Sequence, residues 1–146
     1  MTDNLVICKK LEVLVTYYQG LAELTTGLTQ EEYQRNLLIR RAIEREIQLI
    51  VECATDINNI ILKKLQGAPA KDYFNSFIDL AENEVIDMDF PLAIAPSTGL
   101  RNILVHEYQR IDDQIVFASI ASVRDYYRKY IAKVAEYLDC NIELSS

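Results

Sequence analysis

The sequence predicts an all-α protein, an up-and-down bundle of four to five helices. Two observations carry this. Apolar residues recur at steps of three and four through most of the 146 residues, the period of a one-sided helix. No stretch alternates apolar and polar residues as a half-buried strand would. Composition agrees: 50% of the residues are hydrophobic, and Gly 4 with Pro 3 exclude a disordered chain, a collagen-like repeat and a loop-rich disulfide scaffold. The length fits one domain, expected over residues 1–139 with a short tail at 140–146.

The elements follow in order. Leu5, Leu11, Val15, Tyr18, Leu21 and Ala22 suit a first amphipathic helix ending near Gly27. Thr29, followed by Gln30, Glu31 and Glu32, has the chemistry of an N-cap with acids in the first turn. Ile43, Ile47, Ile50, Ala54, Ile57, Ile61 and Leu65 then form one apolar stripe, with nothing to stop the helix before Gly67-Ala68-Pro69. Asp72 caps a short helix whose inward residues are Phe74, Phe77, Ile78 and Ala81. Another helix starts at Phe90-Pro91, and Pro96 predicts a kink or split within it. Gly99 is expected to let a neighbouring backbone come close. Residues 109–113 read as a loop. The last helix runs from about Gln114 towards Leu138, with Ile115, Ala118, Val123, Tyr127, Ile131, Val134 and Leu138 inward.

No apolar run approaches the roughly 20 residues a bilayer span needs. The start, Met1-Thr2-Asp3-Asn4, lacks the basic region of a secretory signal. Cys8, Cys53 and Cys140 are odd in number, widely spaced and match no metal pattern. We expect them to be reduced, buried small hydrophobes of a cytoplasmic protein.

The net charge of −7 opposes general nucleic-acid binding, which needs cations against phosphates. Its distribution is uneven. Residues 72–89 hold six acids and no basic residue, while Arg35, Arg40, Arg41, Arg45, Lys63 and Lys64 cluster in one stretch. A local cationic face on an acidic molecule is compatible with one specific anionic substrate.

Most catalytic patterns are missing. The chain has no glycine-rich phosphate loop, no GxSxG and no HExxH, and a single histidine gives no usual metal cage. One cluster remains, Arg101-Asn102-Ile103-Leu104-Val105-His106-Glu107-Tyr108, which brings a guanidinium, an amide, the single imidazole and a phenol together.

The pattern Arg-Asn-x3-His-x-Tyr resembles the signature of the HEPN superfamily, and within it the HepT-like toxins paired with a minimal nucleotidyltransferase (MNT) antitoxin. Arg41-Ala42-Ile43-Glu44-Arg45-Glu46-Ile47-Gln48 with Glu52 and Asp56 resembles the family's long second helix. Pro91, Pro96, Gly99 and Leu100 before the motif, and Ile111-Asp112 after it, fit the same pattern. The resemblance spans roughly residues 5–138. It implies the toxin of a type VII-like toxin–antitoxin pair, a metal-independent endoribonuclease that uses no cofactor. Its substrate would be tRNA or mRNA. The alternative is a non-catalytic HEPN bundle acting as a scaffold subunit for the nucleotidyltransferase.

The residue chemistry suits the first reading. RNA carries its own nucleophile, the 2′-hydroxyl. His106 is the candidate general acid/base, because histidine ordinarily titrates near neutrality. Arg101 can bind the non-bridging oxygens through its planar fork. Asn102 can orient His106 or donate to a phosphate oxygen. The products would be a 2′,3′-cyclic phosphate, or its opened form, and a 5′-hydroxyl.

At about 100° per residue, Arg101 and His106 lie about 140° apart on one helix, whereas Arg101 and Tyr108 nearly align. Two copies about a two-fold axis would resolve this with a composite cleft, so a homodimer or higher oligomer is expected. Tyr108 either hydrogen-bonds near the scissile phosphate or closes the pocket, or, as the resemblance implies, receives AMP from the antitoxin. That AMP could pair with Arg101. Arg41 and Arg45 form either an ordinary solvated helix face or an RNA-guiding one.

Overall fold

The structure, a computed structural model, describes residues 2–144; the last two residues of the expected tail, 145–146, lie outside them. Seven α-helices follow one another: α1 (Thr2–Thr25), α2 (Gln30–Arg35), α3 (Leu37–Gln66), α4 (Tyr73–Glu82), α5 (Phe90–Ile94), α6 (Pro96–His106) and α7 (Asp113–Leu138). A single 3-10 turn, Tyr108–Arg110, joins the last two and overlaps the start of the segment 109–113 expected as a loop. No strand occurs among the described residues. None of their helices is long and apolar enough to cross a membrane.

The seven helices are the five expected ones with two divisions. The first division is at Pro96, as the sequence predicts. The second, at Asn36, has no Gly or Pro to announce it. Here the Asn36 side chain accepts from the Ile39 N–H and caps α3 anew, which separates α2 from it. Thr29 builds the expected cap on α2: its hydroxyl accepts from the Glu32 N–H, and Glu32 reaches back to the Thr29 N–H. Asp72 accepts from the Asn75 N–H at 2.7 Å and starts α4. Gly67, at φ 77°, takes the left-handed cap that ends α3.

Helix α3 is the spine. Helix α1 lies along it, and α4 and α6 pack on it. Ile43, Ile47, Ile50, Ala54, Ile57 and Ile61 are buried as predicted. Their stripe meets Leu11, Leu14 and Leu21 of α1 and Tyr127, Ile131 and Val134 of α7 in one core. Polar side chains inside it pair where helices meet, except for the Tyr33 hydroxyl, which has no hydrogen-bond partner among the described residues. Asn58 donates to the Ser76 hydroxyl at 3.0 Å, and the Tyr130 hydroxyl lies 2.5 Å from Asn58 Oδ1.

Some expectations are corrected. Leu5, Leu65, Phe74, Ile115 and Ala118 are exposed rather than inward. The first four sit in first or last helical turns, where no neighbouring helix covers them. The buried stripe of α7 starts instead at Val116 and continues through Ile120 and Val123. Gly99 is exposed, and a side chain there would meet nothing within 4 Å. Gly20 supplies the close approach: a Cβ there would collide with the Glu46 carboxylate of α3.

The cysteine expectation is also corrected. Cys8 and Cys140 form a disulfide, their Cα atoms 5.7 Å apart and 132 residues apart in sequence. The start of α1 and the tail after α7 lie side by side at one end of the bundle, which sequence spacing cannot show. Cys53 is the free cysteine. Burial pushes its thiol up to about 11, where it is protonated and inert.

Candidate active site

Helix α6 carries the motif. Pro96 opens it, Thr98 and Leu104 anchor its inner face, and it stays helical through His106. The Glu107 N–H bonds the Ile103 carbonyl at 3.1 Å and closes the last turn. Arg101 and His106 therefore keep their expected helical separation. The expected alignment of Arg101 with Tyr108 fails, because the α-helix ends at His106 and Tyr108 belongs to the 3-10 turn beyond.

Arg101 turns inward to α3. Its Nε and Nη2 both donate to Glu52 Oε2, at 3.2 and 2.7 Å. The guanidinium carbon lies 4.8 Å from the centre of the Tyr73 ring, an arrangement in which cation and aromatic face attract. Gln48, one turn before Glu52, donates to the same carboxylate at 3.3 Å. One edge of the guanidinium is thus committed. Nη1, on the other side, lies 3.3 Å from Asn102 Oδ1 and keeps donor capacity for a phosphate oxygen. The Arg101 side chain is 13% exposed, so it is largely covered but still reaches solvent. Asn102 and His106 are exposed.

A second cluster surrounds Tyr108, which is 43% exposed. The Arg41 guanidinium stacks over its ring, 4.5 Å from the centroid, and contacts Glu44 at 3.5 Å. Arg40 donates to the carbonyls of Tyr33 and Gln34 and lies 3.5 Å from Asp113. Arg40, Arg41, Glu44, Tyr108 and Asp113 line a cleft of about 180 Å³. Burial raises the Glu44 carboxyl above its usual range, against the nearby Arg41 charge.

The structure thus places Arg101, Asn102 and His106 on one helix and brings Arg41 to Tyr108. It does not bring Arg101 to Tyr108. Arg45 is exposed one turn beyond Arg41. Glu52, Tyr73 and Gln48 were not singled out as site residues from the sequence. Glu52 was visible only as part of the long helix, since no local spacing ties it to a partner 49 positions away. Among the described residues, no group of three or more His, Cys, Asp or Glu side chains could hold a metal ion.

The family described as "Ribonuclease HepT-like" matches residues 14–134, most of the chain. The chain belongs to the HepT-like family. A tRNA nuclease HepT from Aphanizomenon flos-aquae is similar to this HepT-like chain, 34% identical over 136 residues, covering 93% of the chain and 92% of the relative. An mRNA nuclease HepT from Shewanella oneidensis is 28% identical over 85 residues, covering 58% of the chain and 64% of the relative. Among solved structures, a tri-AMPylated Shewanella oneidensis HEPN toxin in complex with an MNT antitoxin shares the fold of this HepT-like chain. Its TM-score is 0.80 at 21% identity, covering 90% of this chain and 97% of that one.

Proposed function

We propose that this chain is the ribonuclease toxin of a toxin–antitoxin pair, cleaving RNA without a metal ion. The observation that carries the reading is Arg101, held on its inner edge by Glu52 and Tyr73 with Nη1 on the other side, one helix turn and a half from an exposed His106. A guanidinium so anchored is set before substrate arrives, which favours stabilising charge that develops on a phosphate. His106 removes the 2′-hydroxyl proton or protonates the leaving 5′-oxygen, and Asn102 orients it or donates to the phosphate.

One histidine per chain serves one of these roles, so the acid and the base come from two copies about a two-fold axis. Arg41 and Arg45 supply positive charge along the approach of the RNA strand. The curated relative that aligns along most of this chain is named a tRNA nuclease, which favours tRNA over mRNA. The MNT-type nucleotidyltransferase partner inactivates the chain by transferring AMP to Tyr108, a phenol exposed enough to receive it.

The decisive experiment is cleavage of tRNA and mRNA by the purified, unmodified chain in EDTA, beside His106→Ala. Cleavage that survives EDTA and falls by about 10²–10⁴ in the variant is the expected result. Equal cleavage by both proteins, or none by a folded dimer on either RNA, overturns the assignment and favours a scaffold subunit of the nucleotidyltransferase. A monomer by light scattering with full activity removes the composite cleft.

A further inference from the structure

Resting on the reading of Tyr108 as a nucleotide acceptor, we propose that Arg41 is the residue that holds this phenol for modification and then binds the phosphodiester formed on it. The reaction itself is balanced simply. The Tyr108 oxygen forms a bond to the α-phosphorus of ATP, the bond from that phosphorus to the oxygen bridging the β-phosphorus breaks, pyrophosphate leaves, and the phenol proton goes to solvent. The product carries one negative charge on a bulky nucleoside, at a surface that must accommodate both.

Four other arginines stand near enough in sequence or space to compete, and three of them are committed to other groups. Arg101 is bound twice to Glu52. That contact lies eleven residues beyond Arg41 on α3, about 16 Å along the helix axis. Arg40 is 17% exposed and committed to two backbone carbonyls and Asp113. Arg110 pairs with Glu107 at 2.9 Å. Arg45, on the next turn of α3, is exposed and lies near Glu46.

Arg41 differs from all of these. Its side chain is half exposed, its ion pair with Glu44 is a long 3.5 Å, and its guanidinium already covers the Tyr108 ring. One rotamer change takes such a cation from the ring face to a phosphate bonded to the ring oxygen. Glu44 is the competing anion. It is buried, which raises its carboxyl above the usual range, and it meets Arg41 only at a long 3.5 Å. The cleft of about 180 Å³ beside Tyr108 gives the nucleotide a place to lie against the protein.

The test is to modify the chain with an MNT-type nucleotidyltransferase and ATP, then add an exogenous phosphodiesterase and follow loss of AMP by intact mass. The parent, Arg41→Ala, Arg41→Lys and Arg101→Ala are compared, with circular dichroism to show that each is folded. We expect AMP to leave Arg41→Ala about tenfold to a hundredfold faster than the parent, the loss of a charge-assisted contact, with Arg41→Lys between. A folded Arg41→Ala that accepts no AMP supports the holding role. Equal loss from parent and Arg41→Ala, or acceleration only in Arg101→Ala, overturns the inference while leaving modification intact. Absence of AMP from the parent itself overturns the modification reading, and the inference with it.

Discussion

Arg101 and Glu52 tie the motif helix to the long helix by charge. Two guanidinium nitrogens converge on a single carboxylate oxygen, at 3.2 and 2.7 Å. The pair is neither fully buried nor free in solvent, the side chains being 13% and 26% exposed. Its effect on stability is therefore modest, and its main consequence is direction. A long side chain with many rotamers is held with one edge inward and Nη1 on the other side.

Glu52→Gln should then act as a positioning variant. An amide oxygen can still accept one hydrogen bond, but it no longer attracts the cation. We expect RNA cleavage to fall about tenfold to a hundredfold, the cost of a misplaced catalytic group, with most of the loss in kcat rather than KM. The melting temperature should change little, for about 1 kcal/mol. A loss confined to stability, or cleavage equal to the parent, would show that Arg101 needs no such guide.

The parts of this protein legible in its sequence are those decided locally. Thr29, Asp72, Gly67 and Pro96 fix helix ends through atoms within four residues, and each acts where the pattern put it. The isoleucine stripe of α3 is legible because a helix repeats. Contacts between distant segments leave no local mark. Glu52 meets Arg101, Arg41 meets Tyr108 and Cys8 meets Cys140 only because the bundle closes. Tyr108 departs from its expected alignment with Arg101 for a related reason: the α-helix stops at His106, two residues before it.

Tyr33 offers a test of buried polarity. It is fully buried against Phe117, with ring centroids 5.4 Å apart, and its hydroxyl has no hydrogen-bond partner among the described residues. Burial also raises its phenol pKa, reinforced by Glu44 and Asp113. A buried hydroxyl without a partner costs folding energy that a hydrogen does not. Tyr33→Phe should keep the fold and be neutral to more stable by up to about 1 kcal/mol, read from urea midpoints. A clear loss of stability would mean that the hydroxyl is satisfied in solution.

Glu44 gives a pH dependence. Its folded-state carboxyl is raised above the ordinary 4.5, first by desolvation, with Arg41 opposing. The folded chain therefore holds the proton more tightly than the unfolded chain does. This favours folding in acid and is lost as pH rises through the folded value. Glu44→Gln keeps the uncharged form at every pH. Its stability relative to the parent should rise from about pH 4 to pH 7. Glu46 is shifted the same way, so the slope must be taken as the difference between the two proteins. A flat difference would remove the assignment.

The Cys8–Cys140 link joins the start of α1 to the segment after α7, where Ile142 and Leu144 pack on the core. Closing a loop of 132 residues restricts the unfolded chain far more than the native one. On the chain-entropy estimate this contributes about 4–5 kcal/mol, a large share of a typical domain's stability. Reduction, or Cys8→Ser with Cys140→Ser, should lower the urea midpoint strongly and leave the helical signal below the transition unchanged. The half-buried Cys53 should stay unreactive towards a thiol reagent until the chain unfolds, because its thiol is held protonated. The native oxidised chain should thus show no fast-reacting thiol, and the unfolded oxidised chain one. Two fast-reacting thiols in the native protein as isolated would mean that Cys8 and Cys140 are not joined, and the midpoint would then be insensitive to reductant.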